Sequence, residues 1–295
     1  MTIGNLRASA LAALILVAAA GCASSQRIEN AGRVADAGVA FADSVPAVID
    51  ESFALSVTAN SLGLADSRPE LTEDERSQRL QTNDALLIQR LEILRGLKRH
   101  AQLLRSYFVA LGALVQSDAT TGISNATQNI VKRLSDVGLD LSKKELAGVP
   151  IADFIQPAVE FGVATYQNVA LTRELKERGH IIERELELQR AALGIIGDQM
   201  MSDKDAQLEH DVRAPLFMEY VAGTSLPGNW NDRRIAAFRQ TIDLQSLNAA
   251  AAAADNLHQS WIAFAENRLD EGSLLRLLRD VEEFAALADK LKAKN

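Results

Sequence analysis

Apolar residues recur at intervals of three and four along most of this chain, which is the spacing of one face of an α-helix. Thr72 and Glu75 have the spacing of a capping box, in which each side chain accepts a hydrogen bond from the other residue's backbone amide at a helix start. An unbroken helix over 72–116 would be about 65 Å long. It would carry the most regular stripe of the chain, formed by Leu87, Leu91, Leu94, Leu97, Ala101, Leu104, Phe108, Leu111 and Val115.

Similar stripes predict helices before and after this one. The first is expected to start near Ile28, with a kink or break at Pro46 and a loop over 63–71 behind it. A shorter helix is expected around 127–137. Later helix starts are predicted at a second capping box formed by Ser142 and Glu145, at Pro150, at Ser202 and at Asp232. The helix that starts at Asp232 is expected to reach residue 267. The final apolar stripe consists of Leu274, Leu277, Val281, Phe284, Ala288 and Leu291.

The segment between 175 and 200 has the spacing of a coiled-coil seam. Its apolar positions are Leu175, Ile182, Leu186, Leu193, Ile196 and Met200. The charged sequence RELKERGHIIERELELQR, residues 173–190, overlaps this seam, and we expect its polar side chains to be solvated. Six consecutive alanines, 249–254, predict a crossing at which two helices approach closely.

Composition agrees with long packed helices, because aromatic residues are only 5% of the chain and no strand-like alternation follows residue 22. We find no repeat of fixed period, which disfavours a solenoid. The predicted fold class is therefore all-α, an elongated antiparallel helical bundle over 28–295 with long coiled-coil-like helices.

The first 21 residues have the layout of a secretory signal peptide. Arg7 is followed by an uncharged, mostly apolar run over 8–20, which is shorter than the roughly 20 residues that cross a bilayer. Cys22, the single cysteine of the chain, follows this run directly.

The tetrapeptide over 19–22, Ala-Ala-Gly-Cys, resembles the lipobox of bacterial lipoproteins, in which the cysteine is acylated at sulfur and becomes the first residue after cleavage. The resemblance implies a signal peptide over 1–21, a lipidated Cys22 and a short tether over 22–27. In Gram-negative lipoproteins an Asp after the cysteine commonly retains the protein at the inner membrane. Ala23 stands there in this chain, which implies the periplasmic face of the outer membrane. The alternative is an ordinary cleaved signal, which would leave Cys22 as an exposed, unpaired thiol.

Charge excludes one class of partner. Without Arg7, the chain after residue 21 has 30 Lys and Arg against 39 Asp and Glu, a formal net charge of −9. Phosphate backbones require clustered basic side chains, and no basic stripe is present. We therefore expect no nucleic acid as a partner.

Two residue pairs have the spacing found in ferritin-like di-metal bundles, where a carboxylate and an imidazole three residues apart face inward. They are Glu177 with His180 and Asp255 with His258. Those bundles use two Glu-x-x-His motifs and two further Glu, so we interpret both pairs as solvated side chains. His100 and His210 lack a partner at ligand spacing, and we expect both on the surface.

No nucleophile elbow, phosphate-binding loop or His-Glu-x-x-His motif occurs in the chain. We therefore expect no enzyme, no catalytic residue, no cofactor and no metal site, and only Cys22 as a modified residue. Trp261 lies on an apolar helical face. Trp230 lies in a polar loop after 227–228, where it could either contact a partner or fold back onto a helix start.

The leading hypothesis is a non-enzymatic envelope lipoprotein, held to the membrane through Cys22, whose bundle binds another protein or the cell wall. The alternative is a carrier or sensor with a small apolar ligand or a metal between its helices, and a third is an enzyme with an unrecognised site. A filled core with an exposed apolar patch would favour the first hypothesis, and a loosely packed apolar cavity the second.

Replacing Cys22 by Ala should abolish membrane association, because two or three acyl chains would supply nearly all of the membrane affinity. Radiolabelled palmitate incorporation and membrane fractionation measure this change. Unchanged fractionation of Cys22→Ala would contradict the lipoprotein hypothesis.

Overall fold

A computed structural model describes residues 4–116, 120–156, 162–163, 169–222, 225–243 and 248–294. Within these ranges nearly every residue is helical, which confirms the predicted all-α class. The α-helices of the described residues are α1 (Gly4–Ser67), α2 (Glu73–Gln116), α3 (Thr120–Leu141), α4 (Val169–Leu208), α5 (Ala214–Val221), α6 (Trp230–Asp243), α7 (Ala249–Ala265) and α8 (Glu271–Lys294).

The helix starting after Thr72 forms as predicted, with its capping box intact. The Thr72 amide donates to Glu75 Oε2 at 2.8 Å, and the Glu75 amide donates to Thr72 Oγ1 at 3.4 Å. The apolar stripe of α2 is fully buried from Leu94 to Val115, and its first two members are half-buried. Local capping and burial of one face therefore act together on this helix.

Several predicted helix boundaries are wrong, mostly because helices continue further than expected. α1 passes through Pro46 without a break and ends at Ser67, so the expected loop over 63–71 shrinks to a 3₁₀ turn at Arg68–Glu70 and two following residues. α4 likewise continues through Ser202 into a π-helical turn, Glu209–Arg213. The helix predicted over 232–267 is two helices, α6 and α7.

The second predicted capping box is also wrong. Glu145 lies in a short strand, β1 (Glu145–Leu146), which pairs in antiparallel fashion with β2 (Val149–Pro150). The Ser142 hydroxyl donates back to the Leu139 carbonyl at 3.1 Å instead of capping a new helix. Gly148 supplies a φ of 76° in the turn of this hairpin, a backbone conformation that glycine adopts without strain.

α1 and α2 form an antiparallel pair. Lys98 Nζ lies 2.8 Å from Asp50 Oδ1, and Arg105 Nε lies 2.7 Å from Asp43 Oδ1, so later residues of α2 meet earlier residues of α1. These ion pairs are largely exposed and contribute little stability. They show which residues of α1 and α2 lie side by side. Burial of the two apolar faces supplies most of the free energy that holds these helices together.

α4 is the central helix, and it packs against α1, α2, α3 and α7. Its predicted seam is buried at every position. The prediction that the overlapping charged sequence is solvated is wrong for half of its polar residues, because helices pack against α4 on several sides; Arg173, Lys176, Glu177 and His180 are exposed as predicted. The buried polar residues within 173–190 are Glu174, Arg178, Glu183, Glu185, Glu187 and Gln189.

Aromatic rings fill the space between α2 and α7. Trp261 makes edge contacts with Tyr107 and Phe108, with ring centroids 5.9 and 6.0 Å apart. Gly38 of α1 allows the ring of Phe108 to approach, since a Cβ at Gly38 would lie 2.4 Å from it. The predicted apolar position of Trp261 is confirmed, and three of the six consecutive alanines are buried in α7, namely Ala250, Ala253 and Ala254.

None of the helices within the described ranges combines the length and the apolarity that crossing a membrane requires.

Replacing Leu104, which is completely buried in α2, by Asp should lower the free energy of unfolding by at least about 3 kcal/mol, because the carboxylate would have no partner in the core. Val109→Asp is the matched control: Val109 lies on the same helix and is 48% exposed, so we expect a change below about 1 kcal/mol. Thermal melts measure both. Equal midpoints for wild type and Leu104→Asp would show that this stripe is not core.

Candidate functional site

A group of exposed apolar side chains lies on α5 and at the start of α6. We define the aromatic patch as Phe217, Met218, Tyr220, Val221 and Trp230. The first four of these side chains are between 57% and 66% exposed, and Trp230 is half-buried. Contiguous exposure of this kind marks an interaction site more often than scattered single apolar residues do.

Trp230 links the two helices that carry the patch. Its indole Nε1 donates to the Leu216 carbonyl at 3.2 Å, and its ring stacks on Tyr220 with centroids 6.1 Å apart. The guanidinium of Arg234 lies 5.4 Å from the centre of the same ring, within cation–π distance. Trp230 is the first residue of α6 and folds back onto α5, which is one of the two predicted roles; the other, contact with a partner, stays a prediction.

The same ring also forms one wall of an open groove of about 550 Å³. Its lining combines apolar side chains with two guanidinium groups, and consists of Arg213, Leu216, Phe217, Tyr220, Trp230, Arg234 and Ala237. A groove of this size accepts several side chains of a partner. The fold-back of Trp230 therefore builds a surface as well as a helix start.

The aromatic patch lies near the C-terminal end of α1. The turn that precedes α5 contains His210, whose Nε2 is 3.3 Å from Asp66 Oδ1. At 1.5 Å per residue, Cys22 and Asp66 lie about 66 Å apart along α1. Residue 22 thus lies in the N-terminal third of α1, and the patch lies near the C-terminal end of the same helix.

The two predicted carboxylate–histidine pairs do not come together as sites. Glu177, His180 and Asp255 are exposed, as expected of solvated side chains. His258 is buried instead, and its partners are on α4: Nε2 is 3.0 Å from Glu183 Oε1, and Nδ1 is 3.5 Å from Glu187 Oε2. Within the described ranges, no three His, Cys, Asp or Glu side chains are arranged to hold a metal ion.

The prediction that His100 lies on the surface is wrong. Its side chain is completely buried between α2 and α4, with Nε2 2.9 Å from Glu185 Oε2 and Nδ1 2.7 Å from Gln189 Nε2. The reason is that α4 presents polar groups toward α2 at this level, so both nitrogens of a buried imidazole find a partner there. His210 is partly exposed, in agreement with the prediction. The side chain of Cys22 lies outside the described part.

Sequence analysis also missed the burial of the α4 carboxylates, although a signal existed. Ile181, Leu188 and Ile195 are apolar positions that do not belong to the predicted seam. Apolar residues on more than one face indicate a helix with neighbours on several sides, where charged residues must also be buried. For the aromatic patch, the nearly continuous apolar run from Leu216 to Val221 was the available signal.

Comparison with known proteins adds no relative: no protein family, no curated protein and no solved structure matches this chain.

Glu187 is the most strongly bonded of the buried carboxylates. Burial by itself would raise its pKa, but hydrogen bonds from Arg190 and from the Gln156 amide outweigh this effect and lower the pKa below 4.5. Arg190 donates twice, each time at 2.6 Å, and the Gln156 amide donates at 2.9 Å. His258 adds a favourable charge interaction. The ionised carboxylate thus joins α4 to α7 and to the chain preceding α4.

Glu187→Gln should lower the free energy of unfolding at pH 7 by about 3 kcal/mol, because it leaves Arg190 without its charged partner. A carboxyl whose pKa is lower in the folded state contributes stability that is present above the unfolded pKa and lost as pH falls through the folded pKa. The difference between wild type and variant should therefore shrink as pH falls below about 5.

Urea denaturation at pH 7, 5 and 4 measures this effect, with Glu177→Gln as the control, since the Glu177 side chain is 50% exposed on the same helix. The control should change stability little at every pH. A Glu187→Gln deficit that is independent of pH would show that ionisation of Glu187 is not the source of its stabilisation.

Proposed function

We propose that this chain is a bacterial lipoprotein, anchored through Cys22 to the periplasmic face of the outer membrane, whose non-enzymatic bundle binds another envelope protein through the aromatic patch. The anchor rests on the resemblance of residues 19–22 to a lipobox. The binding role rests on a single observation, the contiguous exposure of large apolar side chains over α5 and α6.

Side chains of this type favour a protein partner. Burying one Phe, Met or Val side chain completely contributes roughly 1.5–3 kcal/mol, and aromatic residues dominate the energy of protein interfaces. Met218 adds an adaptable side chain that adjusts to the shape of a partner surface. Arg233 and Glu219 form an ion pair at 2.7 Å between α6 and α5, which holds the two helices together beneath the patch.

The geometry of α1 supports a partner away from the anchoring membrane. With Cys22 anchored in the periplasmic leaflet of the outer membrane and the aromatic patch about 66 Å farther along α1, the patch would face the periplasm. The filled interior also favours an interaction module over a carrier of an apolar ligand. Ring contacts such as Phe41 with Phe284, 5.6 Å apart, occupy the space between α1 and α8.

Photo-crosslinking in intact cells tests this proposal. The full chain carrying benzoylphenylalanine in place of Met218 should give one discrete crosslinked protein, because this side chain is 62% exposed within the aromatic patch. The same probe in place of Leu275, which is 53% exposed on α8, is the matched control and should give no such product. Adding Tyr220→Asp to the Met218 probe should abolish the crosslink, since it places a charge in the patch.

Three results would contradict the proposal. These are no product from the Met218 probe, the same product from the Leu275 probe, and a product that survives Tyr220→Asp. Crosslinking to glycan instead of protein would replace the protein partner by the cell wall, and crosslinking to lipid would make the patch a membrane-contacting surface.

A further inference from the structure

A second cleft, separate from the aromatic patch, lies where α1, α2 and α4 meet the β-hairpin. Its volume is about 1080 Å³, at the upper end of the range of small-molecule sites. The floor is polar and includes Ser56, Arg90, Gln199 and Asp203. Three helices and the hairpin therefore enclose a space whose largely buried lining includes two charged side chains, Arg90 and Asp203.

Arg90 is the cation of this floor, and its hydrogen bonding is incomplete. Among the described residues its side chain makes one hydrogen bond, from Nη2 to Ser52 Oγ at 3.1 Å. Its Nε–H is buried and has no acceptor, and Nη1 is 4.0 Å from Asp203 Oδ2, beyond hydrogen-bond distance. A guanidinium has five N–H donors in a planar fork, so most of these donors are available to a ligand.

Asp203 does not hydrogen-bond Arg90 at this distance, and its two oxygens accept hydrogen bonds from other side chains. Ser56 Oγ donates to Oδ2 at 2.6 Å, and Gln199 Nε2 donates to Oδ1 at 2.7 Å. Burial lowers the pKa of Arg90 by more than the charge of Asp203 raises it, which agrees with an incompletely compensated cation. The arrangement fits an additional oxyanion, for which the planar fork of Arg is well suited.

The mouth of the cleft carries charges of both signs. Lys143 and Lys144 are exposed there, and so are Glu92, Asp140 and Glu145. A multiply charged anion such as a phosphate would meet three carboxylates at the mouth. A ligand with one carboxylate and one ammonium group meets opposite charges both at the floor and at the mouth.

We propose that this cleft binds a short peptide with free termini, its carboxylate paired with Arg90 and its ammonium group with the carboxylates at the mouth. The site is independent of the proposed lipid anchor and of the aromatic patch. The side-chain amides of Asn60 and Asn83, which bond to each other at 2.7 Å on the cleft wall, provide further donors and acceptors for peptide groups.

Isothermal titration calorimetry on the full chain in detergent, with trialanine as the probe, tests the proposal. Trialanine should bind saturably at millimolar concentrations or below, and its C-terminal amide should bind at least tenfold more weakly, because the amide removes the charge that pairs with Arg90. N-acetyl-trialanine should also bind more weakly, and Asp140→Asn should remove the difference between the acetylated and free peptides.

Arg90→Met should abolish binding of trialanine, whereas Arg95→Met should leave it unchanged, because Arg95 is exposed on the same helix and does not line the cleft. The comparison of free and amidated trialanine on the wild-type chain tests the pairing of the peptide carboxylate with Arg90 even if Arg90→Met fails to fold. Absence of binding up to 10 mM probe (about tenfold above a Kd of 1 mM), equal binding of the free and amidated peptides, or equal loss in Arg90→Met and Arg95→Met would overturn the proposal. None of these results bears on the binding role that is proposed for the aromatic patch.

Discussion

A charged side chain on a helix surrounded by other helices cannot reach water, and α4 is in that position over much of its length. Moving an ion out of water costs several kcal/mol unless partners replace its hydration. Glu183, Glu185 and Glu187 are each buried, and each has a histidine or arginine partner supplied by α2, α7 or α4 itself. The positions of α2 and α7 around α4 therefore have to satisfy polar bonds as well as apolar packing.

Because these polar bonds have to form, the helices pack in one arrangement, which apolar stripes alone would not select. Leucine and alanine faces slide past one another at small cost, whereas His100 meets Glu185 and Gln189 at only one register of α2 on α4. His258 does the same for α7. Trp261 adds a third directional bond, since its Nε1 donates to the Gly179 carbonyl at 2.9 Å. Directional bonds thus select one arrangement among several that would bury similar apolar area.

The helices and most of the core were predictable because apolar periodicity depends on the chain itself. The stripe of α8, for example, is buried at each predicted position, from Leu274 to Leu291. Helix ends were less predictable, since Pro46 and Ser202 are local breaking or capping signals that tertiary packing overrides. The burial of His100 was not predictable from local spacing, because its partners are 85 and 89 residues away in sequence. The aromatic patch was anticipated only through Trp230.

The contact between Trp261 and Gly179 has a consequence for the order in which the molecule can form. Its two residues are 82 positions apart, and the ion pair of Arg33 with Glu271 spans 238 positions. A chain that emerges from the ribosome N-terminus first presents α4 long before α7 exists to cover it. Until then Glu183 and Glu187 lack the imidazole of His258, whereas Glu185 can already bond to His100 of α2. The last third of the chain therefore supplies polar partners that two buried carboxylates of α4 lack until α7 has been made.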